Sequence, residues 1–443
     1  MTLRDFLTLL ELGRELWTFP EFTVNTQSLI KSVELCRKTV QSDADSRIAL
    51  EVSDTATALT WMMALDGVAG KVFLVPESLR ASDDYIELTK QFNASFTITD
   101  TAAIKVEGYS ETGKGKINDA NIDTQWVLAT SGTTGTPKLI EHSTKSLIKT
   151  CKFDTQRGKD FRWGLVYDPF RFAGLQVVLQ ALASGSHLVF VNKLATVSEQ
   201  IQFMCSKAVN ALSATPTYWR KLLMTGEMKG YSLKQITLGG EPADKTVLNA
   251  LRTAFPGARI AHIYASTEAG VGFSVTDGQA GFPQTFLQHG VGGNCLAVGA
   301  QGTLLIKPEN HVPTSGGSVL VDSQGYIDTG DLIELCADRV YFLGRDSGAI
   351  NVGGNKVIPE EVEAVIREIE GVVEVVVKPK RSGVMGQLVT AEVQITKLVT
   401  DTKVFRKSII SHCREKLDKF KVPALIRFVE EIDYNPTGKI SRL

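Results

Sequence analysis

The sequence predicts an α/β protein with a large N-terminal domain of stacked, mostly parallel sheets and a small β section, followed by a small, mobile α+β domain. Three observations lead to this prediction. The chain of 443 residues is too long for one compact core. Short β-branched runs alternate with helical patterns up to about residue 280, and the residue pattern then changes twice.

The N-terminal part predicts parallel sheets because helical patterns separate its strand candidates. The strand candidates are Arg47–Val52, Lys71–Val75, Ser95–Thr99, Trp126–Thr130, His187–Val191 and Gln235–Leu238. The clearest helical patterns are Asp54–Leu65, Asp84–Phe92 and Ser198–Ala208. This alternation is typical of parallel strands joined by crossover helices, so we expect both faces of these sheets to be buried.

The character of the chain changes between about Gly281 and Leu343, where glycines are dense and the apolar runs are short. This section predicts a meandering, largely antiparallel β structure. After Gly344, Pro359 followed by acidic residues predicts a helix start. Two strands, Val372–Val377 and Leu388–Ile395, and a basic helix at about 403–416 follow. We therefore expect an N-terminal domain at 1–343 and a C-terminal lid domain at 344–443, with the first domain shortened at its start.

Composition excludes several classes of protein. The formal net charge of -1 gives no electrostatic reason for a nucleic-acid partner. The six cysteines form no CxxC pair, which suits a reducing compartment. The N-terminus has the spacing of a short amphipathic helix and lacks the apolar core of a signal peptide. Without a run of eighteen apolar residues we expect no membrane span and a cytoplasmic location.

The stretch richest in chemical information runs from Thr130 to Lys138 and combines glycines, hydroxyl residues and one lysine. It follows a predicted strand and precedes a helical run at 143–149. Backbone N–H groups and hydroxyls in such a loop can bind phosphate oxygens, and the lysine adds positive charge. The stretch lacks the Gly-Lys-Ser/Thr end of a Walker A loop. Its members are Thr130, Ser131, Gly132, Thr133, Thr134, Gly135, Thr136, Pro137 and Lys138.

This stretch resembles the phosphate-loop signature of the adenylate-forming superfamily, which contains acyl- and aryl-CoA ligases, luciferases and peptide-synthetase adenylation domains. Further signatures of that family follow in order. Gly239, Gly240 and Glu241 resemble its adenine-side loop, and the run from Tyr264 to Glu268 resembles its YGxTE motif. The resemblance implies that Tyr264 stacks on adenine, that Thr267 binds phosphate and that Glu268 holds magnesium. Ala265 stands where the family usually has glycine.

The C-terminal signatures of the family also have counterparts. Asp331 matches the acidic residue that binds both ribose hydroxyls. Arg345 opens the interdomain signature, and the resemblance implies that it is a second ribose or phosphate contact. Ser347 occupies the hinge position, where the family usually has Asp or Lys. The resemblance implies that Gly353 and Gly354 let a pantetheine arm pass. The terminal Pro-Thr-Gly-Lys run resembles the motif whose lysine, here Lys439, enters the active site for adenylation.

By this resemblance the protein is an ATP- and Mg²⁺-dependent acyl- or aryl-CoA ligase that forms an acyl-adenylate and transfers the acyl group to a thiol. Coenzyme A is the expected acceptor, and the phosphopantetheine of an acyl carrier protein is the alternative. A stand-alone amino-acid adenylation enzyme and a non-catalytic adenylate-binding protein are two further alternatives. The catalytic residues implied are Lys439, Glu268 and Thr267, with Glu268 as the metal ligand.

The small carboxylic acid is expected to bind beside the segment 167–174. Acyl-CoA ligases carry a Pro-x-x-His segment here, and in that register Arg171 replaces the histidine. Arg171 could pair with a second acidic group, a hydroxyl or a carbonyl of the substrate, or it could neutralise Asp168. Aromatic residues nearby could form an apolar wall, or they could be core. The predicted pocket residues are Phe170, Arg171, Phe172, Gly174 and Tyr218.

Overall fold

The computed structural model describes residues 1–39, 44–100, 103–105, 122–130, 137–309, 321–382, 386–396 and 398–432. The chain divides into two compact units. The first unit comprises Met1–Ala280, Gly292–Asn294 and Lys307–Ile327. The second comprises Gly281–Val291, Cys295–Ile306 and Asp328–Leu443. Among the described residues, no helix is long and apolar enough to cross a membrane.

The strands are numbered in chain order. They are β1 (Glu15–Thr18), β2 (Thr23–Asn25), β3 (Arg47–Leu50), β4 (Lys71–Leu74), β5 (Phe96–Ile98), β6 (Ala103–Lys105), β7 (Gln125–Ala129), β8 (Leu139–Ser143), β9 (Arg162–Leu165), β10 (His187–Phe190), β11 (Ala211–Ala214), β12 (Gln235–Gly239), β13 (Arg259–Ser266), β14 (Gly270–Val275), β15 (Phe282–Pro283), β16 (Cys295–Val298), β17 (Thr303–Lys307), β18 (Ile327–Cys336), β19 (Arg339–Arg345), β20 (Ile350–Val352), β21 (Asn355–Val357), β22 (Val372–Ser382), β23 (Gly386–Ile395) and β24 (Leu425–Val429).

The helices are numbered in the same way. They are α1 (Leu3–Thr8), α2 (Thr26–Thr39), α3 (Thr55–Leu65), α4 (Glu77–Arg80), α5 (Asp84–Phe92), α6 (Thr144–Ile148), α7 (Thr155–Gly158), α8 (Phe172–Ser184), α9 (Val197–Ser206), α10 (Pro216–Thr225), α11 (Lys245–Ala254), α12 (Thr285–His289), α13 (Pro359–Arg367) and α14 (Thr402–Lys416), with one 3₁₀ turn at Asp346–Gly348.

The first unit contains two sheets. The eight-stranded sheet has the order β14-β13-β12-β11-β9-β10-β1-β2, and the six-stranded sheet has the order β6-β5-β3-β4-β7-β8. Only the edge strands of each are antiparallel to their neighbours. All four residues of β10 and all four of β11 are buried, as a strand covered on both faces requires.

Local signals start the helices that connect these strands. Thr196 and Glu199 form a capping box at the start of α9. Thr215 caps α10, whose first residue is Pro216, and Asp244 caps α11. Each cap satisfies an amide that the first turn leaves without a helical partner. The caps therefore fix where the chain turns from each strand into the next helix.

The largest core of the first unit draws on both sheets. Leu16 and Leu188 come from the eight-stranded sheet, while Ile48, Val72 and Trp126 come from the six-stranded sheet. Helices α3 and α8 contribute six and eight further apolar side chains to this core. This shared core is why the two sheets form one unit, and it confirms the predicted stacking of mostly parallel sheets.

The second unit contains two smaller sheets. One has the order β15-β19-β18-β17-β16. The other has the order β21-β20-β23-β22, with β24 parallel to β23. Helices α13 and α14 cover the second sheet, and Val362, Ile366 and Ile409 are fully buried in its core. These sheets confirm the predicted antiparallel β section and α+β segment, whereas the division at Gly344 remains a prediction.

The sequence-based prediction is wrong in two connections. It expected a helical pattern after every strand, but β5 is followed by β6 in an antiparallel pair. It also expected the chain to pass from β7 through the glycine-hydroxyl loop to a helix. Instead, the chain first forms β8, antiparallel to β7. Both strands lie at sheet edges and are too short to show a periodic pattern.

We expect acidic pH to destabilise the first unit through protonation of His187. This residue is 7% exposed, and its Nε2 lies 2.7 Å from the Thr18 hydroxyl. Burial, with Arg162 and Arg14 nearby, lowers the pKa of His187 to about 4, which backbone hydrogen bonding to Glu15 partly opposes. In the unfolded chain His187 is protonated with a pKa near 6.5, whereas in the folded chain it stays neutral until the pH approaches 4. Stability from the neutral ring is complete above pH 6.5 and is lost as the pH falls towards 4.

We expect His187→Gln to reduce the loss of unfolding free energy between pH 7 and pH 4.5 by about 2 kcal/mol. Urea unfolding at several pH values measures this difference. His289→Gln, at the exposed end of α12, is the matched control and should keep the wild-type pH profile. Equal acid sensitivity of wild type and His187→Gln would contradict the assignment.

Candidate active site

The parallel strands of the eight-stranded sheet bring polar residues to one edge. Strands β13, β12, β11, β9 and β10 are neighbours and run in the same direction. Their carboxyl ends therefore meet at a common edge, which is where open α/β sheets bind ligands. The residues that follow these ends include Thr267, Glu268, Gly240, Glu241, Thr215, Tyr167, Asp168 and Lys193.

Contacts between neighbouring strand ends hold this edge together. The Tyr167 hydroxyl donates to the Gly239 carbonyl at 3.3 Å. Burial raises the pKa of Tyr167, and the Glu241 carboxylate raises it further. The Thr217 amide, in the first turn of α10, donates to Glu241 Oε2 at 3.1 Å. These contacts join the end of β9 to the end of β12, so the predicted adenine-side loop lies beside the predicted acid-binding segment.

The predicted YGxTE counterpart lies on β13 and the turn after it. Tyr264 stacks on Phe273, with ring centroids 5.2 Å apart, and the β13–β14 pairing is irregular between Tyr264 and Ala265. The Thr267 carbonyl lies 2.8 Å from His142 Nε2. His142, to which the sequence analysis assigned no role, belongs to β8 and joins this turn to the six-stranded sheet. The Glu268 carboxylate makes no hydrogen bond or ion pair with another described residue.

The glycine-hydroxyl loop is described only at its two ends. Thr130 N donates to the Lys138 carbonyl at 2.8 Å, and Lys138 N donates to Thr130 Oγ1 at 2.9 Å. The loop is thus the connection of a β7–β8 hairpin. Ser131, Gly132, Thr133, Thr134 and Gly135 lie outside the described residues, as does Lys439.

In the second unit Asp331, the predicted ribose-binding residue, forms an ion pair with Arg345. Arg345 Nε lies 3.0 Å from Asp331 Oδ1, and the two residues are opposite each other in the β18–β19 pair. The Arg345 side chain is 42% exposed and that of Asp331 is 16% exposed. Such an exposed pair adds little stability, so its value lies in orienting the carboxylate.

The predicted hinge comes directly after Arg345 in the chain. Ser347 lies in the 3₁₀ turn, and Asp346 forms an ion pair with Lys356 of β21. Gly344, just before the turn, has φ +143°. A Cβ on Gly344 would lie 2.3 Å from Glu360 Oε2 and 2.5 Å from Ile358 Cγ2. The end of β19 therefore approaches the start of α13 more closely than a side chain would allow.

Gly353 and Gly354 form the two-residue turn of the β20–β21 hairpin. Both have positive φ, +56° and +88°, as a type I′ turn requires. The Gly354 amide donates to Asn351 Oδ1 at 2.9 Å. A Cβ on Gly354 would meet no atom within 4 Å, so the outer side of this turn is open.

The predicted acid-pocket residues have different surroundings. Phe170 and Phe172 are buried in the main core of the first unit, and the Phe172 ring lies 5.5 Å from His142. Tyr218 donates its hydroxyl to Gln200 of α9 and packs against the second core of this unit. A Cβ on Gly174 would lie 2.0 Å from the Asp168 carbonyl. Gly174 therefore allows α8 to pack against the Asp168 turn.

The guanidinium of Arg171 is hydrogen-bonded to Ser78 rather than to Asp168. Arg171 Nη2 donates to Ser78 Oγ, on α4, at 2.9 Å. Lys193, which the sequence analysis did not assign, lies 3.8 Å from Asp168. Ser78 and Lys193 belong to no motif and are distant from Arg171 in sequence. Only the fold brings them to this segment, and the one available signal was their position just after strands β4 and β10.

Comparison with known proteins agrees with this geometry. The family model described as AMP-binding enzyme matches residues 43–312, and the AMP-binding enzyme C-terminal domain matches residues 361–439. The chain belongs to this family. It is an AMP-forming acid–thiol ligase, an enzyme that uses ATP to convert a carboxylic acid into its acyl-adenylate and transfers the acyl group to a thiol. The resemblance inferred from the motifs is confirmed.

Among its relatives are 2-succinylbenzoate–CoA ligases. The Bacillus pumilus enzyme is 28% identical over 355 residues, covering 73% of this chain and 69% of that enzyme. The Staphylococcus aureus enzyme is 25% identical over 389 residues, covering 81% and 76%.

Two solved structures share the fold. The o-succinylbenzoate CoA synthetase of Bacillus subtilis, in complex with its acyl-adenylate intermediate, has a TM-score of 0.75 at 19% identity and covers 100% of this chain and 97% of that one. The anthranilate CoA ligase AuaEII, in complex with anthranoyl-AMP, has a TM-score of 0.79 at 17% identity, with coverage of 100% and 96%.

The close approach at Gly174 makes a prediction about stability. We expect Gly174→Ala to lower the free energy of unfolding by roughly 1–3 kcal/mol, because the added methyl group must displace the Asp168 carbonyl or the start of α8. Gly257→Ala is the matched control, since a Cβ there meets no atom within 4 Å. Its effect should stay within about 0.5 kcal/mol. Urea unfolding of the two variants measures this difference. If both substitutions change the free energy of unfolding equally, the Asp168 turn accommodates the added methyl group without loss of stability.

Proposed function

We propose that the protein ligates an aromatic carboxylic acid to coenzyme A, with ATP and magnesium as the other cofactors. The acid class is supported by the relatives, which are named as 2-succinylbenzoate–CoA ligases. The observation that carries the proposal is the common carboxyl edge of β9, β10, β12 and β13. There the acid-binding segment at Tyr167 is hydrogen-bonded to the adenine-side loop at Gly239.

The first half-reaction joins two anions, so positive charge and oriented dipoles dominate its requirements. The carboxylate attacks the α-phosphorus of ATP and pyrophosphate leaves. By the family resemblance, Lys439 and the loop 131–138 offset the charge that develops. Tyr264 stacks on adenine and Asp331 binds the ribose hydroxyls. Thr267 donates to a phosphate oxygen.

The donor set fits magnesium. Mg²⁺ takes one or two carboxylates together with nucleotide phosphates rather than a cage of protein ligands. Glu268 offers a carboxylate without a partner among the described residues, and no cluster of three or more His, Cys, Asp or Glu that could hold a metal occurs among them. Glu268 would hold the ion, which would neutralise phosphate charge.

The second half-reaction passes the acyl group to a thiol. The thiolate attacks the acyl carbon and AMP leaves. The open turn at Gly353 and Gly354 offers a bare backbone for a pantetheine arm, as the family resemblance implies. A carrier-protein phosphopantetheine is the alternative donor of the thiol, and exposed Lys403, Lys407 and Arg414 of α14 would then face an acidic carrier. Because cells hold ATP and coenzyme A in the cytoplasm, we place the reaction there.

Substrate turnover tests this function. Purified protein, ATP, magnesium and a panel of aryl, fatty and amino acids are assayed for AMP release, first with coenzyme A and then with holo-carrier proteins. We expect the highest kcat/KM with an aromatic acid and coenzyme A. A preference for a fatty or amino acid would contradict the acid class. Turnover with a carrier protein alone would contradict the acceptor, and ATP binding without turnover would favour a non-catalytic protein.

Removal of Lys439 should separate the two half-reactions. We expect Lys439→Ala to lower the rate of acid-dependent ATP–pyrophosphate exchange by about 100-fold or more, because a charge that offsets the transition state is lost. Thioester formation from a chemically prepared acyl-adenylate should change less than about 3-fold, since that step has no pyrophosphate to stabilise. Lys419→Ala, which removes an exposed lysine after α14, is the control. Undiminished exchange in Lys439→Ala would remove this lysine from the mechanism.

A further inference from the structure

The guanidinium of Arg171 has few hydrogen-bond partners among the described residues. Of the hydrogen-bonding groups on its guanidinium, only Nη2 has a partner among the described residues, the Ser78 hydroxyl at 2.9 Å. Arg171 Nε is buried and makes no hydrogen bond. A buried polar group without a partner destabilises the folded protein, and the cost is larger when the group is charged. This cost calls for an explanation, because arginine normally binds planar anions through two N–H groups.

A second cation lies in the same cluster. Lys193 follows β10 and lies 3.8 Å from Asp168, a distance too long for a hydrogen bond. Burial lowers the pKa of Lys193, an effect that Asp168 opposes and Arg171 reinforces. Burial lowers the pKa of Arg171 as well. The pair therefore lies in surroundings that favour an additional negative charge.

The carboxylates nearby neutralise these two cations only in part. Asp168 Oδ1 accepts from the Phe170 amide at 2.9 Å, which commits it to holding its own turn. The next carboxylate that acts on Lys193 is that of Glu77, whose residue is exposed to solvent on α4. The positive charges of Arg171 and Lys193 and the negative charge of Asp168 sum to a net charge of +1 in the partly buried part of the cluster.

The location of the cluster connects it to the acid. Arg171 and Asp168 belong to the segment that begins at Tyr167, and Lys193 follows the neighbouring strand β10. Both strands end at the carboxyl edge where the Tyr167 hydroxyl meets the Gly239 loop. An acid bound beside the predicted segment at 167–174 would therefore lie near the ends of β9 and β10.

We propose that Arg171 and Lys193 bind a second carboxylate of the acid, separate from the carboxylate that is activated, so that the preferred substrate is an aromatic dicarboxylic acid. This inference rests on the proposed function and narrows its substrate class. A carboxylate bound there supplies the two-point partner that the guanidinium lacks and adds a second negative charge beside Lys193, whose ion pair with Asp168 is 3.8 Å long. The competing explanation is that Arg171 only ties α4 to the Asp168 turn through Ser78.

The experiment compares acids that differ by one carboxylate. The probes are 2-succinylbenzoate, 2-butanoylbenzoate and 4-oxo-4-phenylbutanoate, the last two of which each lack one of its two carboxylates. Adipate and hexanoate form a second pair without a ring. ATP–pyrophosphate exchange gives kcat and KM for each acid with wild type, Arg171→Gln, Arg171→Lys and Lys193→Met. Arg157→Gln, which changes an exposed arginine of α7, is the matched control.

We expect wild type to prefer the dicarboxylate by about 10- to 100-fold in kcat/KM, mainly through KM. Arg171→Gln should remove most of this preference, lowering kcat/KM for the dicarboxylates by about 10- to 100-fold more than for the monocarboxylates. Arg171→Lys should retain part of the preference for dicarboxylates, because the positive charge remains although the planar guanidinium with its paired N–H donors is lost. Lys193→Met should reduce the preference, and Arg157→Gln should keep it. Urea unfolding shows whether each variant is folded.

Two results would overturn the proposal. One is a wild-type enzyme without preference for a dicarboxylate in either pair. The other is an equal loss for monocarboxylates and dicarboxylates in folded Arg171→Gln, which would assign Arg171 to the activated carboxylate or to the fold. Failure of the proposed function looks different: the aromatic acids would not be activated, while adipate against hexanoate would still report on Arg171 and Lys193.

Discussion

Six neighbouring strands of the large sheet run in one direction, and the position of the active site follows from this constraint. Strands that are buried on both faces cannot carry charged side chains along their length. Polar residues therefore collect where the strands end, and residues distant in sequence become neighbours there. The Tyr167–Gly239 hydrogen bond is one result, since it joins the predicted acid-binding segment to the predicted adenine-side loop.

The periodic parts of the fold were predictable from the sequence. The predicted helix Asp84–Phe92 has the observed bounds, and the predicted strand His187–Val191 is one residue longer than β10. Such elements bury a regular set of apolar side chains, which leaves a pattern in the sequence. β8 was missed because an edge strand of five residues, placed directly before a helix, leaves no comparable pattern.

The candidate site was predictable only where it is written as a contiguous motif. Glu241 and Asp331 could be assigned by resemblance, but the ion pair of Asp331 with Arg345 depends on the register of two strands. Likewise, Arg171 was singled out as an unusual residue, yet its partner Ser78 comes from a helix 93 positions away. Contacts between distant segments are set by packing, and a single sequence does not record them.

Gly344 has a consequence for the motion that the family resemblance places at the hinge. The backbone there lies so close to Ile358 and Glu360 that a methyl group would overlap both. β19 and α13 pack together at this point, and the rotation at 345–347 that the family resemblance implies would separate the two surfaces. A side chain at 344 would overlap these neighbours and so raise the free energy of this arrangement. If the hinge moves as the family resemblance implies, the absence of a side chain at 344 would favour the present arrangement over the others.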